Sequence, residues 1–268
     1  MIPRDIVVPL DGSVFAERAI AVARKLVAQT GGELTFMRAR VDGDPEQEDA
    51  YLRDAATKHA PAAVVFVQDL APAAAIKSMA SEHGGRLVCM TSHGRGALRW
   101  ATLGSVAEDV IRESTEPVVV VGRHCLLDVT PYRTAIVPVD GSDGDDPVVA
   151  VAIEWARDLG LAVRLVQVIH PLDVEGAEHP NKVVRAIADR IREAGVPVEA
   201  VLLRSSQIGA AIADDAATIT GGIVMMSSHG RTGVGRFALG SVAMHTVAMS
   251  PVPVLMVHRD PELEGDER

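Results

Sequence analysis

Cys89-Met90-Thr91-Ser92-His93-Gly94-Arg95-Gly96 is followed, after one apolar segment, by Leu103-Gly104-Ser105-Val106-Ala107. The same pair returns as Met225-Met226-Ser227-Ser228-His229-Gly230-Arg231-Thr232-Gly233 and Leu239-Gly240-Ser241-Val242-Ala243. Nine residues lie between Gly94 and Gly104, and nine between Gly230 and Gly240. Each copy follows an apolar, strand-like run and precedes a helix-like one. A strand, a glycine-rich loop and a helix start together make a place for an anion. Glycine lets the backbone come close, and the free N–H groups of the helix's first turn point at the ligand.

Working outward, the segments around each copy also repeat. Ile6-Val7-Val8-Pro9-Leu10-Asp11-Gly12-Ser13 matches Ala135-Ile136-Val137-Pro138-Val139-Asp140-Gly141-Ser142. After the first of these, apolar residues at helical spacing run from Phe15 to Ala28 and stop at Thr30-Gly31-Gly32, a helix end with glycine behind it. Strands are expected at Leu34–Ala39, Ala63–Gln68, Leu87–Thr91 and Pro117–Val121, with helices over residues 42–60, Pro72–Glu82 and Val106–Glu113. The second half repeats the order: helices over Val148–Leu159, 180–194, Ile208–Thr218 and Val242–Met249, and strands over Val163–Ile169, Val198–Leu203, Ile223–Met226 and Val252–Val257.

The repeat decides the architecture. Short apolar strands alternating with helices predict an α/β protein of two tandem domains, residues 1–124 and 131–259. Each is a five-stranded parallel sheet with helices on both faces, doubly wound. A charged tail, 260–268, follows. In such sheets ligands bind beyond the carboxyl ends of the strands, where strand order reverses. The ends of the first strand (Asp11, Asp140) and of the fourth (Thr91, Ser227) are the pair expected to flank that crevice. The apolar last strands, Val118–Val121 and Val252–Val257, offer edges that could join the halves to each other or join two chains.

Composition narrows the function classes. Net charge is −10 and only 3% of residues are aromatic, which argues against nucleic acid or an anionic membrane as partner. Apolar residues make up 48%, enough for a sizeable core of Ala, Val, Leu and Ile. The two cysteines, Cys89 and Cys125, form no disulfide framework or metal spacing, which suits a reducing cytoplasm. Cys89, inside an apolar run, reads as a small buried hydrophobe. No leader or membrane span is expected.

Each candidate residue has a structural and a functional reading. Ser105 begins Ser105-Val106-Ala107-Glu108, a capping box, so it could simply cap a helix; Ser241 has Met244 in place of the glutamate. Asp11 and Asp140 could bond a ribose, a base edge or a metal ion, or could open an Asx turn. His93, His229, Arg95 and Arg231 could be a base and a phosphate clamp, though solvated loop positions are the simpler reading for the histidines. The second opening loop adds Asp143, Asp145 and Asp146, which would repel a polyphosphate. Asp146-Pro147 reads as an N-cap followed by proline at the first helical position. There is no Gly-x-Ser-x-Gly elbow, zinc motif or P-loop.

Taken together, these motifs resemble the universal stress protein family in its tandem form, over nearly the whole chain. The resemblance implies an adenine nucleotide alpha hydrolase-like fold and an ATP-binding stress-response regulator, with or without Mg2+, hydrolysing ATP slowly at most. It implies a cofactor site of Pro9, Asp11, Ala39, Thr91, Gly94, Gly104, Ser105 and Val106. In the second half the matching set is Pro138, Asp140, Val168, Ser227, Gly230, Gly240, Ser241 and Val242. The family pattern has glycine where this chain has Thr91 and Ser227. The resemblance also implies a homodimer or an internal pseudo-dimer. Two other readings stay open: an interaction module of the same fold that binds no nucleotide, and a slow ATPase.

Overall fold

The computed structural model describes residues 2–40, 44–82, 85–94, 103–114, 116–140, 147–172, 181–228 and 239–257. The first half runs β1 (Ile6–Pro9), α1 (Arg18–Thr30), β2 (Leu34–Ala39), α2 (Pro45–His59), β3 (Val64–Gln68), α3 (Pro72–Ser81), β4 (Leu87–Thr91), α4 (Ser105–Glu113) and β5 (Val118–Val121). The second repeats it as β6 (Thr134–Val139), α5 (Pro147–Leu159), β7 (Ala162–Ile169), α6 (Lys182–Glu193), β8 (Val198–Arg204), α7 (Ile208–Ala217), β9 (Gly222–Ser227), α8 (Ser241–Met249) and β10 (Val254–Val257).

The two sheets are not separate. One ten-stranded sheet has the order β3-β2-β1-β4-β5-β10-β9-β6-β7-β8. Within each half the strands are parallel. The join is antiparallel, with Val254 opposite Val120 and Met256 opposite Val118. The two apolar last strands therefore satisfy each other's edges. Strand order reverses between β1 and β4, and again between β6 and β9.

Both faces of the central strands are covered, so β1, β4, β5, β9 and β10 are mostly apolar rather than alternating, while the edge strands β3 and β8 are partly exposed. One core gathers residues of α1, α2, α5 and α6, such as Leu26, Leu52, Trp155 and Ile191. The other gathers residues of α3, α4, α7 and α8, such as Met79, Val110, Ile212 and Val247. Each core runs across the junction. Met225 and Met226 are core residues, as their apolar strand implies.

The segment between the halves is strapped to α1. Gln29 Nε2 donates to Tyr132 O (3.1 Å) and Gln29 Oε1 accepts from Tyr132 N (2.8 Å). Arg18 Nη2 donates to Cys125 O (2.5 Å), and Lys25 pairs with Asp128 (2.8 Å). Cys125 is buried beneath this strap together with Cys89. At the outer side of β7, Arg164 forms a two-pronged pair with Asp215 of α7 (2.9 and 2.8 Å) and reaches Glu199 of β8 (2.6 Å).

Two local expectations are corrected. Helix α1 starts at Arg18, not Phe15, because residues 14–17 form turns: the Arg18 and Ala19 N–H groups bond to Phe15 O and Ala16 O, three residues back. Its end is as expected, with Gly31 in the left-handed region (φ 73°) donating to Val27 O. In addition, Ser105 is not an N-cap. Gly104 holds that position and no side chain caps α4. Gly104 N–H is tied back to Ser92 O (2.8 Å) and Gly104 O accepts from Glu108 N (2.9 Å). That tie starts the helix one residue earlier than the capping box implies and leaves the Ser105 hydroxyl free of a capping role.

Candidate functional site

The carboxyl ends of β1, β2 and β4 and the starts of α3 and α4 enclose a cavity of about 310 Å³. This falls within the range of small-molecule sites, about 300–1,000 Å³. Its lining includes Pro9, Asp11, Ala39, Thr91, Gly94, Gly104, Ser105 and Val106, so the structure brings together the first-half residues that the resemblance implies as a cofactor site. The floor and far wall come from residues the motifs did not mark: Met37 and Met90 on the strands, and Pro72 and Ile76 on α3. Only the tertiary fold places α3 there, and its small apolar repeat gives no local signal for it.

At one end lies the start of α4. Glu108 N–H is the first to find an intrahelical acceptor, Gly104 O. The N–H groups of Ser105, Val106 and Ala107 come before it and have no such acceptor, and all three residues line the cavity. Among the described residues, no Lys or Arg lines the cavity. An anion there would be held by backbone N–H groups and the helix dipole, with the exposed Ser105 hydroxyl beside them.

Asp11 takes its structural reading while lining the cavity. Its Oδ1 accepts from Ser13 N–H (2.9 Å) and Ser13 Oγ (2.6 Å), an Asx turn. Its Oδ2 lies so close to Gly94 that a Cβ there would overlap it. Any side chain at position 94 would therefore have to displace the Asp11 carboxylate. Thr91 is buried, and its hydroxyl donates to His93 O (2.8 Å), so the side chain in the family's glycine position is turned onto its own loop.

His93 departs from the solvated reading. It is half-buried, its Nδ1 shares a hydrogen bond with Ser92 Oγ (3.0 Å), and its buried Nε2 has no partner among the described residues. Arg95 lies outside the described residues, as do His229, Gly230 and Arg231.

In the second half Pro138 lies in β6, Val168 in β7 and Ser227 at the end of β9, and Asp140 is exposed just after β6. Gly240 caps α8 ahead of Ser241 and Val242, with Gly240 N–H on Ser228 O (2.9 Å) and Gly240 O accepting from Met244 N (3.0 Å). The tie that sets the start of α4 is thus reproduced at α8. Asp143, Asp145 and Asp146 lie outside the described residues; Pro147 does open α5, as expected.

The thiols take no part in the cavity. Burial holds both protonated, raising Cys89 well above its ordinary value and Cys125 to about 11. Among the described residues no group of three or more His, Cys, Asp or Glu side chains is placed to hold a metal ion, and no helix is long and apolar enough to cross a membrane.

Within each half the parallel strands reverse their order at the centre, and the first half has a cavity at that point, which defines the class of doubly wound α/β proteins. The model of the universal stress protein family matches residues 3–122 and again 131–258, and the chain belongs to that family. A universal stress protein of Mycobacterium tuberculosis is 29% identical over 187 residues, spanning 65% of this chain and 62% of its own length. A universal stress protein from Archaeoglobus fulgidus superposes with a TM-score of 0.67 at 19% identity, covering 96% of this chain and 97% of its own. A protein of unknown function from Pseudomonas aeruginosa gives 0.63 at 16%, covering 96% and 93%. Both likenesses are of fold.

Proposed function

We propose that the chain is an adenine-nucleotide-binding regulator of the stress response, with ATP as its ligand, acting in the cytoplasm through binding rather than rapid turnover. One observation carries this reading: the cavity at the β1–β4 reversal is lined both by the uncapped N-terminus of α4 and by the apolar side chains of Met37, Ala39 and Ile76. Phosphates fit the first and a planar base the second. Asp11, which also lines the cavity, takes the ribose in this reading. In this reading Pro9, Thr91 and Gly94 shape the wall, and Gly104, Ser105 and Val106 hold the phosphates, with Mg2+ accompanying them where the ligand brings it. The junction of β5 and β10 makes the chain its own pseudo-dimer.

The test begins with mass spectrometry of any nucleotide released when the purified protein is denatured, followed by calorimetric titration with Mg-ATP. In the Gly104→Val variant an added Cβ meets only Ser92 O at 3.4 Å and His93 Cα at 3.5 Å, ordinary contacts. The fold should persist while the side chain blocks the helix start, and affinity at this site should fall at least tenfold. Unchanged affinity would remove the assignment. No nucleotide released and none bound would favour the interaction-module reading instead.

A further inference from the structure

The two copies of the crevice differ in ways that bear on what each can hold. Helices α3 and α7 begin at equivalent residues, Pro72 and Ile208, and bury equivalent isoleucines, Ile76 and Ile212. Their second residues are Ala73 and Gly209. A Cβ on Gly209 would come within 2.9 Å of His245 Cβ and 3.1 Å of both Thr246 N and Val242 O. The alanine of α3 already carries a Cβ, so at this position α3 cannot approach α4 as closely as α7 approaches α8. The first crevice opens between α3 and α4, with Pro72 and Ile76 on one wall and Ser105 and Val106 on the other.

The base end differs too. In the first half Ala39 lies beside Gln68 in register. Among the described residues the Gln68 side-chain oxygen is buried without a hydrogen-bond partner. In the second half the same register position pairs Val168 with Leu203, and both pack onto the apolar core of that face. Two methyl groups occupy the place of Ala39's open space, and an aliphatic chain replaces the amide.

We propose that the first half alone takes an adenine nucleotide and that the second is a closed copy, so that each chain carries one site; this rests on the nucleotide reading of the first cavity. The second half keeps the loop and helix start because duplication supplied them and because they fold α8. Its role is to complete the sheet and cover the β5 edge.

The experiment is calorimetric titration of the full chain with Mg-ATP, together with amide hydrogen exchange with and without the nucleotide. The expected stoichiometry is one per chain, with added protection at residues 91–94 and 105–107 and none at 227–228 or 241–243. Ala39→Val gives the first half the second half's side chain and should weaken binding at least tenfold, with far-UV circular dichroism unchanged. Two nucleotides per chain, protection in both halves, or undiminished binding by Ala39→Val would overturn the proposal. If the unaltered protein neither binds nor releases any adenine nucleotide, the reading of the first cavity fails, and this proposal falls with it; that result differs from all three above.

Discussion

Replacing Gly94 with alanine tests the closest approach in the candidate site. The new Cβ would overlap Asp11 Oδ2, so the carboxylate must move. Moving it breaks the two hydrogen bonds that Oδ1 accepts from Ser13, at 2.9 and 2.6 Å. Losing bonds to a charged acceptor at a half-buried position should cost about 1–3 kcal/mol. For a chain of this size each kcal/mol lowers the melting temperature by roughly 2–4 °C. The assay is urea unfolding of four proteins: the unaltered chain, Gly94→Ala, Asp11→Ala and the double variant. If the overlap is the cause, Gly94→Ala should cost almost nothing once Asp11 is gone, giving a coupling energy of about 1–3 kcal/mol, the whole cost of the single variant. Equal cost in both backgrounds would refute the reasoning, since the glycine would then be needed for something other than the carboxylate.

Two further outcomes are expected. Arg164→Leu leaves the buried Asp215 carboxylate without its two-pronged partner and should destabilise the chain by about 3 kcal/mol, while adding Asp215→Ala should restore most of that loss in a thermal melt. Stability should also decline as pH rises from about 9 towards 12: burial raises Cys89 and Cys125, the latter to about 11, and burial with the nearby Glu17 raises Tyr51 to about 12. The folded chain then keeps protons that the unfolded chain releases, so alkali favours unfolding; a urea midpoint at pH 10.5 equal to or above that at pH 8 would contradict this.

Much of this was legible in the sequence because duplication wrote it twice. The repeated Asp-Gly-Ser and Ser-His-Gly segments locate the strand ends, and the nine-residue spacing fixes where the helices after them begin. The apolar last strands identify the edges that pair. What stayed hidden depends on contacts between distant residues. Ser105 reads as a cap by local pattern, yet Gly104 takes the role because its N–H donates to Ser92 O and is held there. His93 reads as a solvated loop residue, yet its ring is packed against Ser92 with one nitrogen buried. The wall supplied by Pro72 and Ile76 has no motif, and the unequal spacing of the two helix pairs appears only when Gly209 is seen against α8.

The antiparallel join of β5 and β10 has a consequence for how such a chain can change over generations. Two identical subunits meeting at such an edge must use one sequence on both sides, so every substitution is felt twice. Here a segment of about a dozen residues keeps the partners at an effective concentration of order millimolar, whatever the concentration of the protein. Dilution does not separate them, and each side always meets the same neighbour. A substitution in α7 is never imposed on α3, and the halves are free to drift apart in what they hold while remaining matched where they touch.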